Sequence, residues 1–97
     1  MSLPLDSALS ALDAYGQKID VTANNIANVN TDGFKKSRAV LQEADSSGVV
    51  VSIDKVNTPG APILSEDGTG EVRESSNVDL AEEIINLQTA KRGFEAN

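Results

Sequence analysis

Large apolar residues recur along the first quarter of the chain in steps of four and three. Residues 6–26 divide into three sevens: Asp-Ser-Ala-Leu-Ser-Ala-Leu, Asp-Ala-Tyr-Gly-Gln-Lys-Ile and Asp-Val-Thr-Ala-Asn-Asn-Ile. Each begins with an aspartate, Asp6, Asp13 or Asp20, and ends with a large aliphatic, Leu12, Ile19 or Ile26. With Leu5, Leu9, Gly16 and Ala23 included, the stripe runs 5, 9, 12, 16, 19, 23, 26, the spacing of a coiled-coil seam. A helix over this stretch is about 36 Å long, and one side of it needs a partner helix. Its start falls at Pro4, tolerated in a first turn, or at Asp6 as a cap. Its end lies in Asn28-Val29-Asn30-Thr31-Asp32-Gly33, a run of poor helix formers in which Gly33 suits a left-handed turn.

The pattern then changes. Gly48-Val49-Val50-Val51-Ser52-Ile53-Asp54-Lys55-Val56 is rich in β-branched residues with partial alternation, and Asn57-Thr58-Pro59-Gly60-Ala61-Pro62 is a strong turn signal. Ile63-Leu64-Ser65 fits a short return strand. Glu66-Asp67-Gly68-Thr69-Gly70 is a second turn, and Glu71-Val72-Arg73 fits a further strand. A small hairpin or three-stranded ribbon is expected. Arg38–Ala44 reads equally as strand or helix.

A second helix is expected near Ser76. Ser76-Asn77-Val78-Asp79 has the form of a capping box. Asp79, Glu82 and Glu83 near the start and Lys91 and Arg92 near the end complement the helix dipole. Leu80, Ile84, Leu87, Lys91 and Phe94 repeat at four and three, with Ala81 and Ile85 beside them, a stripe that matches the first. No C-cap signal precedes Asn97, so this helix is expected to continue in a longer chain. The expected architecture is mainly α: N- and C-terminal helices pairing as an antiparallel coiled coil or helical hairpin, with a small β-hairpin-like insert. The single domain divides into residues 1–34, 35–75 and 76–97.

Composition narrows the chemistry. The 97 residues include 39% hydrophobics but only three aromatics, Tyr15, Phe34 and Phe94. A core must therefore come from small aliphatics, and a chain this short buries a modest share of its surface. The net charge is -7, which disfavours nucleic acid and anionic membranes. The absence of cysteine and histidine excludes disulfides, zinc–thiolate sites and His-dependent triads. No basic, apolar leader is visible at Met1-Ser2-Leu3-Pro4, and no run approaches the roughly 20 apolar residues of a membrane span. A soluble chain not exported by the general route is expected.

Several features have two readings. The heptad stripe suits either an ordinary amphipathic helix in a compact α+β domain or a coiled coil used in assembly. Gly16 and Ala23 lean toward assembly, because a helical glycine costs about 1 kcal/mol and small residues admit another backbone. Asn24, Asn25, Asn28 and Asn30 are either a fraying helix end or amides that bond across a subunit interface, where unmet groups cost about 1–3 kcal/mol each. Lys35-Lys36-Ser37-Arg38 reads as a solvated loop. Glu66–Glu71 lacks the alternating ligands of a calcium loop, and Glu82 and Glu83, adjacent on a helix, point apart. Nothing argues for an enzyme, a metal or a cofactor.

Two segments carry a resemblance. Ala8-Leu9-Ser10-Ala11-Leu12-Asp13-Ala14-Tyr15, followed by Asp20-Val21-Thr22-Ala23-Asn24-Asn25-Ile26-Ala27-Asn28-Val29-Asn30-Thr31-Asp32-Gly33-Phe34-Lys35-Lys36, resembles the N-terminal signature of bacterial flagellar rod and hook proteins. Ser76-Asn77-Val78-Asp79-Leu80-Ala81-Glu82-Glu83-Ile84-Ile85-Asn86-Leu87, with Ala90-Lys91-Arg92-Gly93-Phe94-Glu95-Ala96-Asn97, resembles the C-terminal signature of the same family. The resemblance implies a structural subunit of the flagellar basal-body rod, of small rod type because the middle segment is short. It implies assembly through terminal helices and a place in the periplasm-spanning rod. It also implies export through the flagellar type III apparatus without a cleaved signal peptide. Partners would be other rod and axial proteins and the chain itself, with a homo-oligomer or domain-swapped assembly in isolation. Leu5, Leu9, Leu12, Ile19 and Ile26 would meet Leu80, Ile84, Leu87 and Phe94. The family's C-terminal helix usually runs on beyond Phe94-Glu95-Ala96-Asn97, where this sequence stops. The alternative is a soluble helical adaptor or export-associated protein that does not enter the rod.

Overall fold

A computed structural model describes residues 4–45, 48–64, 68 and 70–96. Helix α1 runs Pro4–Ala27, so the start at Pro4 is the one adopted. Strand β1 (Ser37–Glu43) pairs antiparallel with β2 (Val49–Lys55), and β3 (Pro62–Leu64) with β4 (Val72–Glu74); helix α2 runs Leu80–Ala96. The helices hold 24 and 17 residues. The strands hold 7, 7, 3 and 3, too much sheet for a mainly α chain.

The insert is not one ribbon. The segment 38–44, ambiguous in sequence, is the strand that pairs with β2, from Ser37↔Lys55 to Glu43↔Val49. The return strand at 63 pairs with β4, with Leu64 opposite Val72. The turn expected over residues 66–70 lies mostly outside the described residues.

The close of α1 follows the expected chemistry. The Asn28 amide donates to the Asn24 carbonyl at 2.9 Å, and its Oδ1 accepts from the Thr31 hydroxyl at 3.0 Å. Side-chain groups thereby take over from the backbone ladder. Gly33 has φ of 73°, a region where a Cβ is strained, and its N–H donates to the Glu74 carbonyl at 2.8 Å. The start of α2 differs from the capping box predicted at Ser76. The Ser76 hydroxyl accepts from Val78 N–H, and Asp79 caps the helix by accepting from Glu82 N–H at 3.3 Å. Asp79 lies three residues before Glu82, which places it at the N-cap.

Lys35–Arg38 is likewise not a solvated loop. Lys35 pairs with Glu74 at 2.8 Å, and Lys36, mostly buried, lies 3.7 Å from Glu82. Ser37 and Arg38 open β1. Arg73 pairs with Asp32 at 3.0 Å, so Arg73 and Glu74 together tie β4 to the segment after α1.

The molecule is elongated, 63 × 23 × 13 Å, with a radius of gyration of 17.3 Å. A compact chain of this length has a radius of about 12.5 Å. Among the described residues the buried apolar ones are Ala11, Ala14 and Ala90, and the largest fully buried side chain is that of Asn25.

Candidate assembly surface

α1 holds the rest of the chain through polar side chains. The Ser10 hydroxyl donates to the Val49 carbonyl at 2.7 Å and accepts from Val49 N–H at 2.9 Å. This fixes the start of β2 on the first half of the helix. Asn25, 1% exposed, does the same for β1. Its Nδ2 donates to the Ser37 carbonyl at 2.8 Å and its Oδ1 accepts from Ser37 N–H at 3.0 Å. The second Nδ2 bond goes to Glu83 Oε1 on α2, at 3.0 Å. Glu83 is 3% exposed, and a hydrogen bond to a carboxylate is stronger than one between neutral groups. One amide therefore joins α1, β1 and α2.

Asn77 forms a second knot. Its Oδ1 accepts from Lys36 N–H at 2.7 Å, and its Nδ2 donates to the carbonyls of Val56 and Thr58 at 2.9 and 3.0 Å. The start of α2 is thereby laced to both ends of the β1–β2 hairpin.

The helices run in opposite directions. Asn25 near the end of α1 meets Glu83 near the start of α2, while Tyr15 lies against Gly93 near the end of α2. A Cβ at Gly93 would collide with the Tyr15 ring, so the helices approach over a position with no side chain. The face that packs is built from Ala11, Ala14, Thr22 and Asn25 on α1, and Glu83 and Ala90 on α2.

The large apolar stripes lie elsewhere. Leu5 is 67% exposed, Leu9 54%, Leu80 and Ile84 44% each and Phe94 43%. Leu12, Ile19, Ile26 and Leu87 are half-buried. Within the chain the two stripes therefore do not face one another. Each residue advances about 100° around a helix. On α1, Tyr15 and Asn25 point toward α2 and Ser10 toward β2. The stripe from Leu5 to Ile26 then falls on the side of α1 that the hairpin leaves open. Counted the same way on α2, which runs oppositely, the stripe from Leu80 to Phe94 falls on that same side. The two stripes form one outer face, with the β1–β2 hairpin on the other side.

Among the four asparagines, Asn25 and Asn28 work inside the chain, while Asn24 and Asn30 are exposed. Sequence reasoning missed Ser10, Asn77 and Glu83. Ser10, four residues before Ala14, and Glu83, seven before Ala90, are polar groups in phase with small residues, whereas Asn77 precedes α2 and carries no such signal.

No helix of the described residues is long and apolar enough to cross a membrane. No three acidic, histidine or cysteine side chains among them group as a metal site.

Comparison with known proteins settles the class. The flagella basal body rod protein family model matches residues 5–35, and the C-terminal model of flagellar basal body rod FlgEFG proteins matches residues 70–97. The flagellar basal-body rod protein FlgC of Yersinia enterocolitica is 35% identical over a 111-residue alignment covering 95% of this chain and 81% of that protein. The chain belongs to the flagellar basal-body rod protein family. FlgC of Escherichia coli O157:H7 is 34% identical over the same shares of each chain. FlgG of Bacillus subtilis is 38% identical over 71 residues, 67% of this chain but 27% of its own length. As a rod-family member the chain is a structural subunit of the flagellar basal body, and the matched segments are α1 with its closing turn and α2 with the residues that lead into it.

Proposed function

We propose that this rod-family subunit self-assembles, and joins its axial neighbours, through the outer apolar face of α1 and α2. Leu5, Leu9, Leu12, Ile19 and Ile26 act together with Leu80, Ile84, Leu87 and Phe94 as one adhesive surface. The terminal segments, 1–34 and 76–97, bring α1 and α2 together as an antiparallel pair of coiled-coil type, and residues 35–75 form the outer segment. Exposed Asn24 and Asn30 supply amides to a neighbour, while Asn25 and Asn28 close and anchor α1. The subunit reaches the periplasm-spanning rod through the flagellar export apparatus, without a cleaved signal peptide.

The observation that carries this reading is surface in excess of what a monomer keeps. The chain exposes 6502 Å², whereas a compact protein of its mass exposes roughly 5,300 Å². The surplus, roughly 1,200 Å², exceeds the ~800 Å² that one partner contributes to a standard interface. Contiguous exposed leucine, isoleucine and phenylalanine are the mark of an interaction site.

The test is incorporation. Leu9→Asp and Ile84→Asp each place a charge on the face without touching the Ser10, Asn25 or Asn77 bonds. Both are expected to abolish co-purification with basal bodies and motility in soft agar, while the circular dichroism of the free chain stays that of the parent. Normal swimming by both variants would refute the proposal. Retention of the tagged parent in the cytosol would favour an adaptor that does not enter the rod.

A further inference from the structure

The heptad aspartates remain unexplained by the apolar face. Asp6, Asp13 and Asp20 are all exposed. Set seven residues apart, they form a row with steps of about 10.5 Å. By the same helical count the row runs along the edge of α1 turned away from α2. Among the described residues none of the three has a cationic partner within ion-pair reach; Asp13 accepts one bond from Gln17.

Across the molecule lies a cleft of about 250 Å³ between α1, β1 and α2. Lys18, Lys36 and Arg38 stand around it in a chain of net charge -7. Two carboxylates also line it. Glu83 is buried and bonded to Asn25, and Glu82 lies 3.7 Å from Lys36. Lys18 and Arg38 make no ion pair among the described residues. Lys18 sits one heptad before Asn25, whose amide holds Ser37 beside Arg38. Two cations without an ion-pair partner among the described residues thus stand around one cleft, opposite in charge to the aspartate row.

We infer that the aspartate edge of α1 in one copy docks against the Lys18–Arg38 cleft of a second copy. This rests on the reading of the chain as a self-associating subunit and adds which edge and which cleft meet. An edge meeting a different surface is a heterologous contact, which propagates as a ring or helical filament and does not close as a two-fold dimer. Charge pairs at such a rim set register and partner choice more than raw affinity. The apolar face supplies adhesion, and the charged edge and cleft orient one copy against the next.

Charge reversal tests it on the full chain by sedimentation velocity at low and high salt. Asp13→Lys with Asp20→Lys makes edge and cleft both cationic. Lys18→Glu with Arg38→Glu makes both anionic. Each pair is expected to weaken self-association at low salt roughly tenfold, with circular dichroism unchanged. Mixing the two variants, or combining all four changes in one chain, is expected to restore association, since every contact is then again between opposite charges. Reversed variants that associate like the parent, or a mixture that stays dissociated, overturn the edge-to-cleft contact while leaving the apolar-face reading intact. A parent chain that remains monomeric at low salt and high concentration overturns both.

Discussion

Asn25→Ala is the most informative single change, because one side chain joins three elements. The substitution removes two bonds to the backbone of Ser37 and one to the Glu83 carboxylate. A neutral bond is worth about 1 kcal/mol net and one to a charged group about 1.5–3 kcal/mol. The sum is about 3.5–5 kcal/mol, at the low edge of the 5–15 kcal/mol that holds a typical domain together. With only alanines buried among the described apolar residues, this chain has little reserve. Asn25→Ala is expected to shift the urea midpoint of the far-ultraviolet circular dichroism sharply downward. It should also raise exchange of the Ser37 amide toward that of an open loop. Asn25→Asp sharpens the test. It keeps an acceptor for Ser37 N–H but sets a second carboxylate against Glu83. Its urea midpoint should also fall below that of the parent, because a like-charge contact replaces the bond donated to Glu83. An Asn25→Ala variant within about 1 kcal/mol of the parent, with Ser37 exchange unchanged, would refute the claim that this amide organises the fold.

Other changes probe other joints. Ser10→Ala leaves the Val49 N–H and carbonyl without their partner and should cost about 1–3 kcal/mol, read as faster exchange at Val49. Gly93→Val drives a branched side chain into the Tyr15 ring, so the melting temperature should fall despite the poor helix propensity of glycine. Gly60→Ala meets the Ser75 carbonyl. Backbone cannot yield there as a side chain does, and the Ser75–Ala61 bond should be lost from exchange profiles. Gly16→Ala meets nothing within 4 Å and should stabilise the free chain by about 0.5–1 kcal/mol. On the outer face of α1, that added methyl should at the same time impair incorporation into rods.

The helices were legible because periodicity and punctuation agree at their ends. Pro4 and the Asn28–Gly33 run bound α1 within the described residues. The second helix was placed four residues early, because Ser76 and Asp79 both fit a cap and only the observed bonds separate them. Strand pairing was less legible. The run 49–56 announced a strand, but its partner precedes it, and Arg38–Ala44 carries too little alternation to say so. The roll of each helix was not legible at all. A seam of leucines implies burial, yet the buried side of α1 is chosen by Ser10 and Asn25 through directional bonds to backbone. No scale of hydrophobicity weighs those contacts, and each such residue read alone is an ordinary surface group.

This division of labour has a physical logic. A subunit held together by its large side chains would have none left to offer a neighbour. Here the internal joints use an amide, a hydroxyl and a carboxylate whose partners are fixed by geometry, together with alanine and glycine where helices touch. Hydrogen bonds of this kind contribute modestly to stability but tolerate few alternative arrangements, so the hairpin keeps one position relative to the helices at small apolar expense. Leu5, Leu9, Leu80, Ile84 and Phe94 stay largely outside, where burial yields roughly 25 cal/mol per Å² only when another molecule arrives. The same asymmetry predicts how the molecule fails. Losing a polar joint should unfold the subunit alone. Losing an outer leucine should leave the subunit folded and the assembly unmade.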